Sequence, residues 1–149
     1  PCTDPDVAGR VLSESLRLRP PTWLVVRVAR SENRLPCGVV VPEGCRVYLS
    51  PAVSHRRPES FDDPDRFDPD RFLAGAEIDP FAYYPFGAGA RACIGESLAR
   101  GIGVTFVTRL MKAVRLETTS RRPLGQRGGL TLRPAIPVRL RVAGASSRG

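Results

Sequence analysis

Apolar residues fall into distinct rhythms along the chain. Across TDPDVAGRVLSESLRLRPP (3–21), Val7, Val11 and Leu18 edge an apolar stripe that Ala8, Leu12 and Leu16 widen, the spacing of an amphipathic helix. Asp4 suits the cap, Pro5 the first turn, and Pro20-Pro21 the stop. TWLVVRVA (22–29) is β-rich, and GVVVPEGCRVYLS (38–50) reads as two short strands around a Pro-Glu-Gly turn. Residues 51–81 have neither period. Prolines, aspartates, arginines and Phe61, Phe67, Phe72 and Phe81 interleave there, with DPDRF written twice, which favours an ordered meander.

From about Gly95 to Val114, Ile94, Leu98, Ile102, Phe106 and Leu110 recur every four residues. That repeat predicts a largely buried helix, despite Gly101 and Gly103, each of which weakens a helix by about 1 kcal/mol relative to Ala. VRLET, GLTLRP and PVRLRV then read as short strands, and AGASSRG (143–149) as a frayed tail. The fold class is α+β, mainly helical, in one domain over 1–149.

Composition narrows the functions. The 149 residues are 42% apolar, enough for one core, and their formal charge is +8. Lys112 is the single lysine; the arginines are scattered, with no basic block, which argues against a nucleic-acid arm. Cys2, Cys37, Cys45 and Cys93 form no C-x-x-C pair, so they read as reduced thiols outside any zinc site. No apolar run reaches transmembrane length, and a cytoplasmic location is expected. The chain opens at Pro1 in mid-pattern, without methionine, and is expected to lack an N-terminal portion that could have carried an anchor.

The chemistry concentrates in FGAGARACIG (86–95). Cys93 stands at the expected mouth of the 94–114 helix, where unpaired amides and the helix dipole favour a thiolate. Gly87, Gly89 and Gly95 give the backbone room to approach a flat group, Arg91 can reach an anion on it, and Phe86 can keep water away. These are the attributes of a soft metal ligand in a dry pocket. A buried structural cysteine would leave the glycines without purpose. A nucleophilic cysteine lacks a partner, because His55 lies in the unrelated SHRRP segment.

This decapeptide resembles F-x-x-G-x-R-x-C-x-G, the haem-ligand loop of cytochrome P450 monooxygenases, and matches it at Phe86, Gly89, Arg91, Cys93 and Gly95. Glu14-Ser15-Leu16-Arg17 resembles the E-x-x-R pair of the family's K-helix. FDPDRF (67–72) resembles its meander motif, and GLTLRPAIPVRLRV its C-terminal hairpin. The resemblance runs from about Pro5 to Val142. It implies the C-terminal portion of the P450 fold: K-helix, short strands, meander, Cys loop, L-helix and hairpin.

The resemblance also implies haem b with Cys93 as axial iron ligand, and propionates met by Arg91 and by Arg27. The alternative for Arg27 is a solvated strand arginine. Glu14, Arg17 and Arg71 would form a buried structural ion cluster, and His55 would serve a hydrogen-bonding role. Trp23, Leu24, Val25, Leu130 and Thr131 are candidate contacts for a small lipophilic substrate; as bare sequence they are also ordinary core or turn. The implied activity inserts one oxygen atom from O2, with electrons drawn from NAD(P)H through an acidic ferredoxin, flavodoxin or reductase. Arg100, with Arg109 and Lys112, is expected to offer that carrier an exposed basic patch. The family's oxygen-activating helix precedes the K-helix and is outside these residues, so no catalytic residue is assigned and the chain alone is expected to be inactive. Two alternatives stay open: a cofactor-free basic interaction module, and an enzyme of the same superfamily that needs no redox partner.

Overall fold

A computed structural model describes residues 3–119 and 124–145. Cys2 and residues 146–149 of the expected tail lie outside them. The first helix, α1 (Pro5–Leu18), begins as the sequence dictates: the Asp4 carboxylate accepts the Asp6 amide at 2.9 Å and Pro5 sits in the first turn. It ends where the Arg19 amide donates to Ser15 O ahead of Pro20.

Strands β1 (Val25–Val28), β2 (Asn33–Arg34), β3 (Val40–Val41) and β4 (Arg46–Leu49) follow. The strands flanking Pro42-Glu43-Gly44 do not pair with each other. β3 pairs antiparallel with β2, and β4 with β1, with Val25 opposite Leu49 and Val28 opposite Arg46. The turn instead extends the β1–β4 ladder, because Ala29 donates to Cys45 O and accepts from the Gly44 amide, both at 2.9 Å.

A one-turn helix, α2 (Pro51–Ser54), opens the irregular segment, and Pro69–Phe72 form a 3-10 turn. The second 3-10 turn, Gly89–Arg91, precedes α3 (Glu96–Ala113). The expected VRLET strand is β5 (Val114–Thr118), paired antiparallel with β8 (Leu140–Ala145). β8 therefore continues through 143–145, part of the segment expected to fray. Between them, β6 (Gln126–Arg127) pairs with β7 (Arg133–Pro134).

α1 and α3 cross closely because glycines face the contact. A Cβ on Gly103 would lie 2.8 Å from Leu12 Cδ2, and one on Gly9 would lie 3.9 Å from Val104. Arg10 pairs with Asp70 and fastens α1 to the 3-10 turn at 69–72.

The expected burial of the α3 stripe does not hold. Leu98 is 69% exposed, Ile102 61% and Phe106 63%, and Ile94 is wholly exposed. The face that packs on α1 carries Gly103, Val104 and Thr108 instead. The four-residue repeat marks a face whose cover is not supplied by the described residues. The total surface agrees: it is 11104 Å², whereas a compact protein of this mass exposes about 7,500 Å². The apolar core is correspondingly small, with Ala8, Leu18, Phe61 and Ala82 as its buried hydrophobic residues among those described.

Candidate functional site

Beside that core lies a knot of polar groups. Glu14 and Arg17 face each other in full burial, with Arg17 Nε donating to Oε2 at 2.7 Å and Nη2 to Oε1 at 2.9 Å. Arg17 also donates to the carbonyls of His55 and Pro64 at 2.7 Å and of Arg66 at 3.1 Å. Every nitrogen of its fork therefore has an acceptor. Its guanidinium stacks 5.0 Å from the Phe61 ring centre. Glu14 Oε1 accepts the Asp68 amide at 2.8 Å as well. Arg71 joins less closely: its Nε is 3.7 Å from Glu14 Oε1, has no hydrogen-bond partner, and its Nη2 donates to Asp63 O at 3.0 Å. The three residues that the motifs connect, Glu14, Arg17 and Arg71, are thus brought together across 57 positions of sequence.

His55 is wholly buried in the same knot. Its Nε2 accepts the Tyr84 amide at 3.0 Å, which leaves Nδ1 to carry the proton toward Arg17 O at 3.3 Å. Burial pushes its pKa down to about 4, and the charges of Arg17 and Arg56 add to that; backbone hydrogen bonds oppose the shift. Protonation would also place an N–H against the Tyr84 N–H. His55 is therefore a neutral strut between α1 and the segment leading to the Cys loop.

The loop itself is closed by the Cys93 amide, which donates to Phe86 O at 2.8 Å. Gly87 at φ +77° and Gly89 at φ +67° make the turn between them, in the left-handed region that suits glycine. Cys93 lies two residues before the Gly95 cap of α3, not within its first turn. Gly95 has the Cys93 sulfur for a neighbour, 3.8 Å from where a Cβ would stand. The sulfur is open to solvent. The expected dry enclosure is not formed by the described residues, just as the α3 stripe is not covered by them.

Arg91 is exposed on the 3-10 turn beside the cysteine. Arg27 is exposed on β1, opposite Val47, and donates to Val26 O at 3.1 Å. Trp23 donates from its indole to Gly129 O at 2.9 Å, and the Leu132 amide donates to Pro21 O at 2.8 Å. The two candidate substrate-contact regions, Trp23 to Val25 and Leu130-Thr131, therefore sit side by side, with Leu130 fully exposed.

Arg100 corrects the sequence reading. It is no free rim charge: it donates to Glu96 Oε1 at 2.9 Å and to Ser13 Oγ at 3.2 Å, with its guanidinium 5.0 Å from the Phe86 ring centre. Burial disfavours its charge, but hydrogen bonds to Glu96 and Tyr83 outweigh that and hold its pKa above the ordinary value. Arg109 and Lys112, a turn or more further on, are exposed. The i,i+4 spacing of Glu96 and Arg100 was the one available signal for the pair; nothing local announced Ser13, Tyr83 or Phe86 as its neighbours.

The site therefore presents one exposed thiol on a glycine turn, with a buried Glu14–Arg17 pair elsewhere in the same scaffold. The cytochrome P450 family model matches residues 7–140, and the chain belongs to the cytochrome P450 family. It is 46% identical over 91 residues to cyclooctat-9-en-7-ol 5-monooxygenase of Streptomyces melanosporofaciens, covering 60% of this chain and 20% of that protein. With human lanosterol 14-alpha demethylase it shares 41% identity over 98 residues, 64% of this chain and 19% of the relative. Among solved structures, the haem domain of cytochrome P450DA superposes with a TM-score of 0.83 at 27% identity, over 92% of this chain and 31% of that one. Retinoic acid-bound cyanobacterial CYP120A1 gives 0.79 at 32% identity, over 89% and 32%. The chain thus spans about a fifth of these curated relatives. No helix among the described residues is long and apolar enough to cross a membrane.

Proposed function

We propose that this chain is the C-terminal, proximal part of a cytochrome P450 monooxygenase and that Cys93 is the axial thiolate of its haem. The loop geometry carries the reading. A Phe86–Cys93 hydrogen bond and two left-handed glycines hold one sulfur outward at the foot of α3, beside the exposed apolar side chain of Ile94. The donor set fits haem. Among the described residues no group of three or more His, Cys, Asp or Glu side chains could hold a bare metal ion, so a lone thiolate suits a metal whose remaining ligands arrive with its cofactor.

When bound, a haem ligated by thiolate receives electron density from sulfur that favours O–O cleavage. The chain's own residues position and neutralise. Cys93 supplies the anion, Phe86 accepts its amide and so orients the loop, and Arg91 and Arg27 pair with the cofactor's carboxylates, which a guanidinium grips bidentately. Glu14, Arg17, Arg71 and His55 fix the scaffold under the loop. Trp23, Leu24, Val25, Leu130 and Thr131 contribute one wall for a lipophilic substrate, a class in keeping with the compounds for which the relatives are named. Arg109 and Lys112 offer opposite charge to an acidic electron carrier.

The experiment is reconstitution of the chain with ferric haem, followed by reduction under CO. Wild type gives the red-shifted absorbance band of thiolate ligation and Cys93→Ser does not. A band that survives in the serine variant removes Cys93 as the ligand.

A further inference from the structure

We infer that Arg100 is a positioning residue that sets the Cys loop against α1 by clamping the Phe86 ring. The inference rests on the haem-thiolate reading for its purpose, but not for its geometry. Arg100 is tethered at both ends of its fork. Nε reaches Glu96 one helical turn back, and Nη1 reaches Ser13 Oγ on α1. Its planar face lies over Phe86. A guanidinium held by a carboxylate and a hydroxyl, with an aromatic ring across it, has little rotational freedom, and the ring shares that restriction.

Phe86 passes the restriction to the sulfur. Its carbonyl accepts the Cys93 amide at 2.8 Å, and the intervening turn is closed by Gly87 N–H to Tyr84 O at 2.9 Å and Ala92 N–H to Gly89 O at 3.0 Å. Tyr83 braces the other side, its hydroxyl donating to Ser13 O at 3.0 Å. Burial, the largest influence, raises the Tyr83 pKa and keeps the phenol neutral, although Arg100 and Ser13 work against the rise. Ser13 therefore receives Arg100 at its hydroxyl and Tyr83 at its carbonyl, so one residue of α1 anchors both flanks of the loop. Loss of Arg100 frees Phe86, and the Cys93 amide loses its fixed acceptor.

The test follows the Cys93 amide by hydrogen exchange, with the Ala29 amide, bonded to Cys45 O in the remote β1–β4 ladder, as internal reference. In Arg100→Met, Cys93 exchange is expected to quicken about fivefold, the equivalent of one modest cation–π contact, while Ala29 is unmoved. In Phe86→Leu the same substitution at Arg100 adds nothing, because the ring it clamps is gone. Arg100→Lys keeps the charge and loses the planar stack, so it shows most of the acceleration while guarding against misfolding in the methionine variant. Unchanged Cys93 exchange overturns the clamp, and so does equal acceleration at Ala29, which marks plain destabilisation. A haem-loaded sample separates the two readings. With the clamp, Arg100→Met broadens or partly loses the thiolate band that wild type shows. A wild type without that band defeats the haem reading and leaves the exchange result to judge the clamp.

Discussion

Replacing Glu14 by glutamine removes one negative charge and leaves nearly the same shape, so it isolates the electrostatics of the buried knot. In the native chain the carboxylate receives two hydrogen bonds from Arg17 and one from the Asp68 amide, and sits 3.7 Å from Arg71 Nε. Both Glu14 and Arg17 are fully buried. With a neutral amide in place of the carboxylate, two guanidinium groups are left without a counter-charge. Breaking a buried pair from one side costs about 3–5 kcal/mol. Set against a domain stability of about 5–15 kcal/mol, that is roughly a fifth of the total or more. For a chain of this length it corresponds to a fall of roughly 10 °C in Tm.

The partners rank by their contacts. Arg17→Met should cost at least as much, because it also strands the carbonyls of His55, Pro64 and Arg66. Arg71→Met should cost least, since its Nε makes no hydrogen bond and its side chain is 13% exposed. Urea unfolding followed by far-UV circular dichroism measures all three. Glu117→Gln, which disturbs an exposed pair with Arg141, serves as the control and should lie within the range of about 0–1 kcal/mol typical of surface bridges. A Glu14→Gln loss as small as the control's would refute the reasoning, since the cluster would then be acting as a surface bridge does.

The His55 strut predicts acid lability. The unfolded chain takes up a proton below its ordinary pKa of 6.5 while the folded chain resists until about 4, so this contribution is complete above pH 6.5 and is lost as pH falls toward 4. It amounts to about 3 kcal/mol, and His55→Gln should flatten that limb of the urea-midpoint profile. The glycines of α3 should separate in sign. Gly101→Ala meets no atom within 4 Å and should gain about 1 kcal/mol in helix propensity. Gly103→Ala sets a Cβ at 2.8 Å from Leu12 and should forfeit that gain through overpacking of about 1–3 kcal/mol; equal midpoints for the two variants would contradict the packing described for α1 and α3.

Local chemistry made much of this protein legible. Asp4, Pro5 and Pro20 bound α1 because capping and proline stereochemistry act within a few residues, and VRLET, read as a short strand, is β5. The loop from Phe86 to Gly95 was readable for the same reason, as its glycines and cysteine sit within ten positions. Apart from the Glu14–Arg17–Arg71 cluster, which the family resemblance implied, partnership across the fold was not readable. β4 pairs with β1 and not with β3, because the turn at 42–44 docks on Ala29, a choice made by hydrogen bonds far apart in sequence. The α3 repeat gave the apolar face but not its cover, since periodicity records what a helix is suited to bury and not whether the partner is present. Arg100 looked like a surface charge until the fold brought Ser13 and Phe86 to it. A charged side chain is placed by the neighbours that satisfy it, and those neighbours belong to the tertiary structure.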